Sequence, residues 1–481
     1  MSGRSHVTFP PAIRIGSWLE RKADTDGRFP FGSAAALVFA AAVLTCSAVA
    51  DARSHRRASR PEVEATHHVR PRPESIHWPL VIPGVQYNPV AWSDLRGWAD
   101  DDQFKAFKTF KASCAPVLAR KTKKPDDTPD KFLGDALREP CLAARGAKVH
   151  DAASARAFFE EQFAPVTISR LGEDAGFVTG YYEPIVEGSR TRTDVYTVPV
   201  YRRPSNLFVR GYSQASPSLP NKGDVFRKIG RRKLVPYYDR AQIEDGAIAG
   251  RGLEIVWLKS QTDLLFIQIQ GSARIKLPDG SMVRINYDSH NGFPYTPIGR
   301  VLIERNIIPK DQMSMQRIRE YMEQNPGAAD ELRRQNRSYI FFHEVPLKAD
   351  DEAIGAQGVP LTAGRSIAVD KALHVYGTPF FIDGDLPIES DTSNTPFRRL
   401  MIAQDTGSAI VGPARADLYF GAGTEAGKIA GRIKNAARFT ILLPKSLDPV
   451  AHGRTVPLPD ARPAEEKPRP KRRVRRQADN S

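Results

Sequence analysis

The chain has 481 residues, 41% of them hydrophobic, and a formal net charge of +15. This excludes a wholly disordered chain and is too long for one ordinary core, so two or more domains are expected. About half of the positive excess falls in residues 1–80 and 446–481; the body is only mildly basic and does not require nucleic acid, and an anionic polymer or a membrane surface fits as well.

In chain order, residues 1–50 read as an export signal. Arg14, Arg21, Lys22 and Arg28 precede the apolar stretch Ala34–Leu44, and Ala48-Val49-Ala50 offers a small-x-small cleavage site. Two alternatives stay open. One is an uncleaved anchor, although Ala34–Leu44 alone falls short of the ~20 residues a spanning helix needs. The other is lipid attachment at Cys46, for which Val43-Leu44-Thr45 is a poor match. Residues 51–80 are basic, Pro-rich and poor in apolar side chains, as in a disordered spacer, and His67-His68 reads as a solvated pair.

The folded body is expected from Val81. Asp101-Asp102 can cap a helix whose apolar stripe is Phe104, Phe107, Phe110, Cys114 and Val117, with Pro116 at its end or at a kink. Once a signal carrying Cys46 is removed, Cys114 and Cys141 remain as an even pair in an oxidising compartment and are expected to form a disulfide; two buried free thiols are the alternative. A second helix is expected over Ala152–Phe163, followed by strands at Val166–Ser169, Phe177–Tyr182 and Val195–Tyr201.

Residues 203–250 are rich in Pro, Gly, Ser and charge, with one weakly helical piece near Arg240–Asp245. Strands are expected at Leu253–Leu258 and Leu264–Gln270, then a hairpin around Pro278-Asp279-Gly280. Thr296-Pro297 opens a helix over Ile298–Glu304, and Ser314–Gln324 is another. Strands return at Ser338–His343, Ser366–Asp370, Pro379–Asp383, Arg398–Asp405 and Arg438–Leu443. The fold is mainly β with peripheral helices and barrel-like, because no regular crossover helices separate the strands. Residues 446–481 read as a disordered basic tail.

There is no HExxH, no Cys/His cluster at metal spacing, no P-loop and no GxSxG elbow, so no metal or cofactor is implied. The glycines of Gly421-Ala422-Gly423-Thr424-Glu425-Ala426-Gly427 are misplaced for a dinucleotide turn and suit a turn into a helix. Carboxylates remain. Asp370, Asp405 and Asp417 each stand at or near a strand end within fifty residues, where grouped carboxylates raise one another's pKa and keep one protonated as an acid. Asp405 opens an Asp-Thr-Gly string in which glycine permits close backbone approach or positive φ. An aspartic protease needs two facing aspartates that share a proton. This chain has one such string, so only a homodimer would serve, and Gln404 replaces the apolar residue usual before that aspartate.

Phe177-Val178-Thr179-Gly180-Tyr181-Tyr182-Glu183-Pro184, Phe266-Ile267-Gln268-Ile269-Gln270-Gly271-Ser272, the Asp279-Gly280 hairpin, Asn291-Gly292, Ile298–Ile303, Ser314-Met315-Gln316 and the region Leu361–Leu443 follow one another in an order that resembles the membrane-bound lytic murein transglycosylase A (MltA) family. Leu361–Leu443 resembles its "3D" domain, named for three aspartates that correspond to Asp370, Asp405 and Asp417. The resemblance implies a double-psi β-barrel built from 81–190 and 337–445, with a second β-barrel domain, 191–336, inserted between the halves. It implies a groove that holds peptidoglycan glycan strands, with Asp405 as the acid and Asp417 and Asp370 in support. The one visible departure is Ser408, where the family usually has a second glycine.

On this reading Tyr181 and Tyr182 are expected to stack on sugar rings, and Gln270 and Ser272 to hydrogen-bond acetamido groups, with Thr179 and Gly180 in the same substrate-binding segment. A tyrosine pair that simply alternates between core and surface is the alternative, Gly180 could merely let the chain turn, and His343 and His374 have no evident site role. The family also implies a periplasmic or outer-membrane location and cell-wall enzyme partners. A non-catalytic glycan-binding protein on the same barrel stays open, because fold does not fix function.

Overall fold

The computed structural model describes residues 84–448 apart from 120–134, 217–218, 220–223, 231–232, 347 and 349–350. The expected export signal, the spacer and the tail beyond residue 448 lie outside the described residues. Among the described residues, no helix is long and apolar enough to cross a membrane.

The chain runs β1 (Val85–Pro89), α1 (Gln103–Ala119), α2 (Arg138–Gly146), α3 (Ala152–Gln162), β2 (Phe163–Arg170) and β3 (Gly176–Glu183). It continues through β4 (Ile185–Ser189), β5 (Val198–Tyr201), β6 (Leu207–Val209), β7 (Val225–Ile229), β8 (Lys233–Pro236), α4 (Arg240–Glu244), β9 (Glu254–Leu258), α5 (Gln261–Gln270), β10 (Ser272–Lys276) and β11 (Met282–His290). Three helices follow, α6 (Ile298–Glu304), α7 (Met315–Gln324) and α8 (Pro326–Gln335), then β12 (Ile340–Glu344). The last stretch is β13 (Ser366–Val369), β14 (Pro379–Leu386), β15 (Thr395–Asp405), β16 (Arg415–Ala422), α9 (Gly423–Arg432) and β17 (Lys434–Pro444).

The first sheet has the order β1-β2-β17-β14-β15-β13-β16-β3, and an additional β17–β3 pairing closes six of its strands into a barrel. Two of its pairs, β13–β15 and β16–β3, are parallel and the rest antiparallel. Closure removes the open edges a sheet would otherwise expose. Alternating side chains fill the interior, among them Val178, Ile367, Ile382, Met401, Leu418 and Ile441. Against one side pack α1, α2 and α3. Phe107, Phe110, Phe158, Phe159 and Phe163 meet there mostly edge-to-face, and Cys114 and Cys141 are joined as a disulfide. Asp102 takes the N-terminal turn of α1 through the Lys105 amide at 3.3 Å. Asp101 does not cap. It is buried and accepts both Arg365 guanidinium nitrogens at 2.7 Å.

The second sheet, β12-β11-β10-β4-β9-β5, is joined edge to edge by one bridge between Arg202 and Phe342. Its core includes Val200, Ile255, Ile275, Ile285 and Phe341. The segment expected to be irregular, 203–250, contains a third sheet, β6-β7-β8, whose buried Leu207, Val209 and Val225 join that core. Its strands are too short and too interrupted by charge to show a period.

Leu264–Gln270, expected to be a strand, belongs to the helix α5. Ser260 caps it by accepting from the Asp263 amide, and Gly271 ends it with φ 83°. Because Leu264, Leu265, Phe266, Ile267 and Gln268 are all buried, the run shows no helical stripe, and periodicity alone cannot separate a buried helix from a buried strand. Pro297, not Thr296, is the N-cap of α6.

Candidate active site

Strand β15 delivers Asp405 at its C-terminal end. In register, Asp405 pairs with Ala368 of β13, Ala368 pairs on its other side with Asp417 of β16, and Asp417 pairs with Thr179 of β3. One line across four strands therefore carries two aspartates and a threonine to the same level of the barrel.

Each carboxylate has a distinct environment. Asp405 is half-buried, and its Oδ1 accepts the amides of Ala356 at 3.0 Å and Thr406 at 2.9 Å. Its Oδ2 accepts the Tyr181 hydroxyl at 3.0 Å. Burial, with a smaller push from the charge of Asp417, raises this carboxyl to about 6 against the downward pull of the three donors. The Ala356 amide comes from a loop pressed against the strand end. A Cβ on Gly355 would lie 2.5 Å from the Gln404 carbonyl oxygen, so only glycine lets that loop approach.

Asp417 accepts the Thr179 hydroxyl at 2.6 Å, and Arg415 donates to the same hydroxyl oxygen at 2.8 Å. Burial raises its pKa while Arg415 and Thr179 oppose the rise. Asp370 stands apart. It is 4% exposed, and its two oxygens accept the amides of Ala372 and Gly412, each at 3.0 Å. It thereby pins the segment between Asp405 and β16, to which Thr406 adds a bond from its hydroxyl to the Val369 carbonyl at 2.8 Å.

Asp405 opens onto a cleft of about 540 Å³. Its barrel side is formed by Tyr181, Tyr376, Asp405, Thr406 and Ser408, and its far side by residues of α5, β10, β11 and β12, including Gln270, Ser272, Tyr287 and His343. The departure at Ser408 is accommodated, since that side chain is exposed at the cleft rim. Gly407 does not take the positive φ that glycine would permit there.

The expected substrate-binding residues divide. Tyr181, Gln270 and Ser272 line the cleft; Thr179, Gly180 and Tyr182 do not. Alternation along β3 explains this. Thr179 shares a face with Tyr181 but is occupied by Asp417. Gly180 and Tyr182 face α9, where a Cβ on Gly180 would lie 2.7 Å from Ala430 Cα and the Tyr182 ring covers Gly427. Gln270 is partly committed, as its side-chain oxygen accepts the Tyr182 amide at 3.0 Å. Tyr181 packs against Tyr419 with ring centroids 5.2 Å apart and the rings tilted by 49°, and burial with the carboxylates of Asp405 and Asp417 raises its pKa well above the usual value, so it stays a phenol.

Sequence reading missed Tyr376, which sits over Thr406 near Asp405, and the Ala356 amide, a backbone donor that no side-chain pattern announces. It gave no role to His343, which lines the cleft. His374 is buried, with Nε2 2.7 Å from the Pro413 carbonyl, a structural position.

Comparison with known proteins places these features. The profile described as "MltA specific insert domain" matches residues 177–343, and "3D domain" matches 365–443. A crystal structure of a membrane-bound lytic murein transglycosylase from Agrobacterium tumefaciens superposes with a TM-score of 0.66 at 38% identity, covering 77% of this chain and 99% of that one. Membrane-bound lytic murein transglycosylase A of Escherichia coli K12 is 32% identical over 270 residues, which are 55% of this chain and 64% of that protein, so the match spans a little under two thirds of its length. The structure of E. coli MltA with bound chitohexaose superposes with a TM-score of 0.52 at 26% identity, covering 75% and 91% of the two chains. With the paired profiles in order and a solved relative covered almost end to end, the chain belongs to the membrane-bound lytic murein transglycosylase A family.

Proposed function

We propose that the protein is a peptidoglycan lytic transglycosylase that cleaves the β-1,4 bond between N-acetylmuramic acid and N-acetylglucosamine with one aspartate, Asp405, as both acid and base. The observation that carries this reading is that Asp405 is the sole carboxylate among the described residues lining the cleft. Ordinary glycoside hydrolysis uses two carboxyl groups flanking the bond. A single one suffices when the sugar's own C6 hydroxyl is the nucleophile.

In the first step Asp405, neutral, donates its proton to the glycosidic oxygen. Two amides already fill Oδ1, so the proton belongs on Oδ2 beside Tyr181. As the bond breaks, the positive charge developing on the muramyl C1 is met by the carboxylate left behind, which the two amides and the phenol stabilise. The C6 hydroxyl then attacks C1 and Asp405 takes its proton, closing the 1,6-anhydro ring without water. Tethering makes this attack favourable, because the nucleophile is already held beside its target. A pKa near 6 suits a group that must first give and then regain a proton. Asp417 orders β3 behind Tyr181, and Asp370 holds the loop that follows Asp405.

A glycan substrate is supported by the chitohexaose held by the E. coli relative and by the relatives' shared name. Their description as membrane-bound, together with the export signal read in residues 1–50, supports action at the periplasmic face of the outer membrane. The division into a barrel from 81–190 and 337–445 with an insert at 191–336 is part of the same reading.

Digestion of purified peptidoglycan with mass spectrometry of the fragments tests it. Anhydro-muropeptides are expected. Reducing ends would identify a hydrolase instead, and a bound but uncut polymer a glycan-binding protein. Asp405→Asn should abolish release while the protein still sediments with the polymer.

A further inference from the structure

The Ala356 amide that meets Oδ1 of Asp405 does not come from a barrel strand. It sits in a short hairpin, Ala353 to Leu361, in which the Gly355 amide donates to the Val359 carbonyl at 3.0 Å and the Leu361 amide to the Ala353 carbonyl at 2.8 Å. A lone two-stranded hairpin is marginal in water, so its position is set by what grips it. On the barrel side the Gln357 amide donates to the Gln404 carbonyl at 3.0 Å and the Gln357 side chain to the Ser113 carbonyl at 3.1 Å. Ala353 and Leu361 are buried beside Tyr181 and Tyr419.

The other grip comes from the second sheet. Asn286 Nδ2 donates to the Ile354 carbonyl at 3.0 Å. Arg274 Nη2 donates to the Asp351 carbonyl at 3.1 Å, and Arg284 Nη1 donates to the same oxygen. These donors stand on fixed backbone. Asn286 is in β11, paired with Ser272 of β10 on one side and His343 of β12 on the other. Arg274 and Arg284 lie directly opposite each other on β10 and β11. Like charges so placed repel, and Glu183 offsets this by accepting from both, at 2.6 Å and 2.9 Å. Glu183 is 1% exposed, and removing either kind of partner would leave a buried charge uncompensated. It ends β3, two residues after Tyr181. One strand therefore reaches both oxygens of Asp405. Tyr181 donates to Oδ2 directly, and Glu183 acts on Oδ1 through the arginines and the hairpin that carries the Ala356 amide.

We propose that Asn286, together with Arg274 and Arg284, is a positioning residue for the reaction at Asp405, holding the 353–361 hairpin so that the Ala356 amide stays on Oδ1. The second sheet then does more than wall the cleft: it sets the hydrogen bonding of the acid on the opposite side. The kinetic consequence rests on the reading of Asp405 as the acting acid, whereas the effect on the Asp405 carboxyl does not.

Two variants of the full chain test this. Asn286→Leu keeps side-chain volume and neutral charge but removes the donor. Gly355→Ala leaves Asn286 untouched and forces the hairpin off the strand end, since its Cβ would lie 2.5 Å from the Gln404 carbonyl oxygen. Unchanged circular dichroism and cooperative melting verify that each variant folds. The Asp405 carboxyl is titrated by NMR in protein labelled with carbon-13 at the aspartate carboxyls, its signal assigned by its loss in Asp405→Asn. Rates on peptidoglycan are measured in parallel from pH 4 to 9. The titratable groups beside Asp405 or sharing its cleft, Tyr181 on β3, Asp417 on β16, His343 on β12, and Lys371 and Tyr376 between β13 and β14, are unaltered in both variants, so a moved midpoint reports the amide. The midpoint, near 6 in the wild type, should rise by about one pH unit in both, because a charged acceptor has lost a donor. The rate limb should follow it, and kcat should fall about tenfold with KM within about twofold. The proposal is overturned if the midpoint stays in both variants, or if it moves in Gly355→Ala alone, which would mean that Asn286 does not hold the hairpin. It is also overturned if Asn286→Leu raises KM with the midpoint in place, which would make Asn286 a glycan contact. A midpoint that rises in both while the rate limb stays would leave the positioning standing and remove Asp405 from the role of acid, so the two readings fail separately.

Discussion

The Tyr181 hydroxyl donates to Oδ2 of Asp405 across 3.0 Å, although the two residues lie on β3 and β15, which are separated in the barrel by β13 and β16. The bond therefore spans the barrel mouth and joins the first segment of the barrel to the last. It also touches the oxygen assigned to carry the catalytic proton.

Tyr181→Phe removes this donor and leaves the ring packed against Tyr419. The bond lowers the Asp405 pKa, so its loss should raise that pKa above about 6. The limb of the pH–rate profile that reports Asp405 should move to higher pH, and kcat should fall roughly ten- to a hundredfold because the carboxylate formed as the proton is donated is less well stabilised. Rates measured from pH 4 to 9 check this. A limb that stays in place would mean that Tyr181 does not act through Asp405.

The pH dependence of stability has a definite sign. The folded-state pKa of Asp405 is raised from the usual 3.8 to about 6, so folding favours its protonated form. That contribution is fully present below pH 3.8 and is lost as pH rises through 6. The carboxylate then costs the folded state about 2–3 kcal/mol above pH 7. Asp405→Asn, neutral and able to keep both amide bonds, should melt several degrees higher than the wild type at pH 8 and nearly level with it at pH 4, while losing activity. Equal melting at both values would show that Asp405 is not perturbed.

Gly180→Ala tests a different part of β3. The added Cβ would lie 2.7 Å from Ala430 Cα and 2.9 Å from the Ala430 carbonyl oxygen, both backbone atoms of α9 that cannot swing aside. We expect a loss of about 1–3 kcal/mol, read by urea unfolding. If Gly180 served the glycan instead, stability would hold and only KM would rise.

Most strands were legible because their alternation survives in sequence, and Asp405, Asp417 and Asp370 were legible as polar ends of apolar runs. What pairs with what was not. The Asp405–Ala368–Asp417–Thr179 line depends on the register of four strands, set by closure of the barrel rather than by any local pattern. Placing Thr179, Gly180, Tyr181 and Tyr182 in one substrate-binding segment left the alternation of β3 as a rival reading, and it is that alternation which turns Gly180 and Tyr182 toward α9. The strand expected at Leu264–Gln270 failed because a helix buried all round has no polar face to reveal its period.

The disulfide between Cys114 and Cys141 closes a loop with a sequence separation of 27. A loop of that size restricts the unfolded chain by about 3 kcal/mol. Replacing both cysteines with serine should lower the melting temperature by several degrees without altering kcat at 25 °C, because α1 and α2 lie behind the barrel and not in the cleft. A matching loss of kcat in well-folded protein would tie these helices to the site.

Asp370→Ala separates support from chemistry. The change leaves the Ala372 and Gly412 amides without their side-chain acceptor. Their desolvation should lower stability by about 2–4 kcal/mol. The segment from Thr406 to Gly412 would then be held by the Thr406–Val369 bond and by buried Ile410, and kcat should fall as Asp405 loses its fixed orientation. The pH limb should nevertheless remain near 6, because Asp370 is not among the groups that set the Asp405 pKa. That outcome differs from both neighbours in the series, since Tyr181→Phe moves the limb and Asp405→Asn leaves no rate to titrate. An Asp370→Ala protein that melts like the wild type yet is inactive would place Asp370 in contact with the reacting sugar, and the assignment of one acting aspartate would then have to be abandoned.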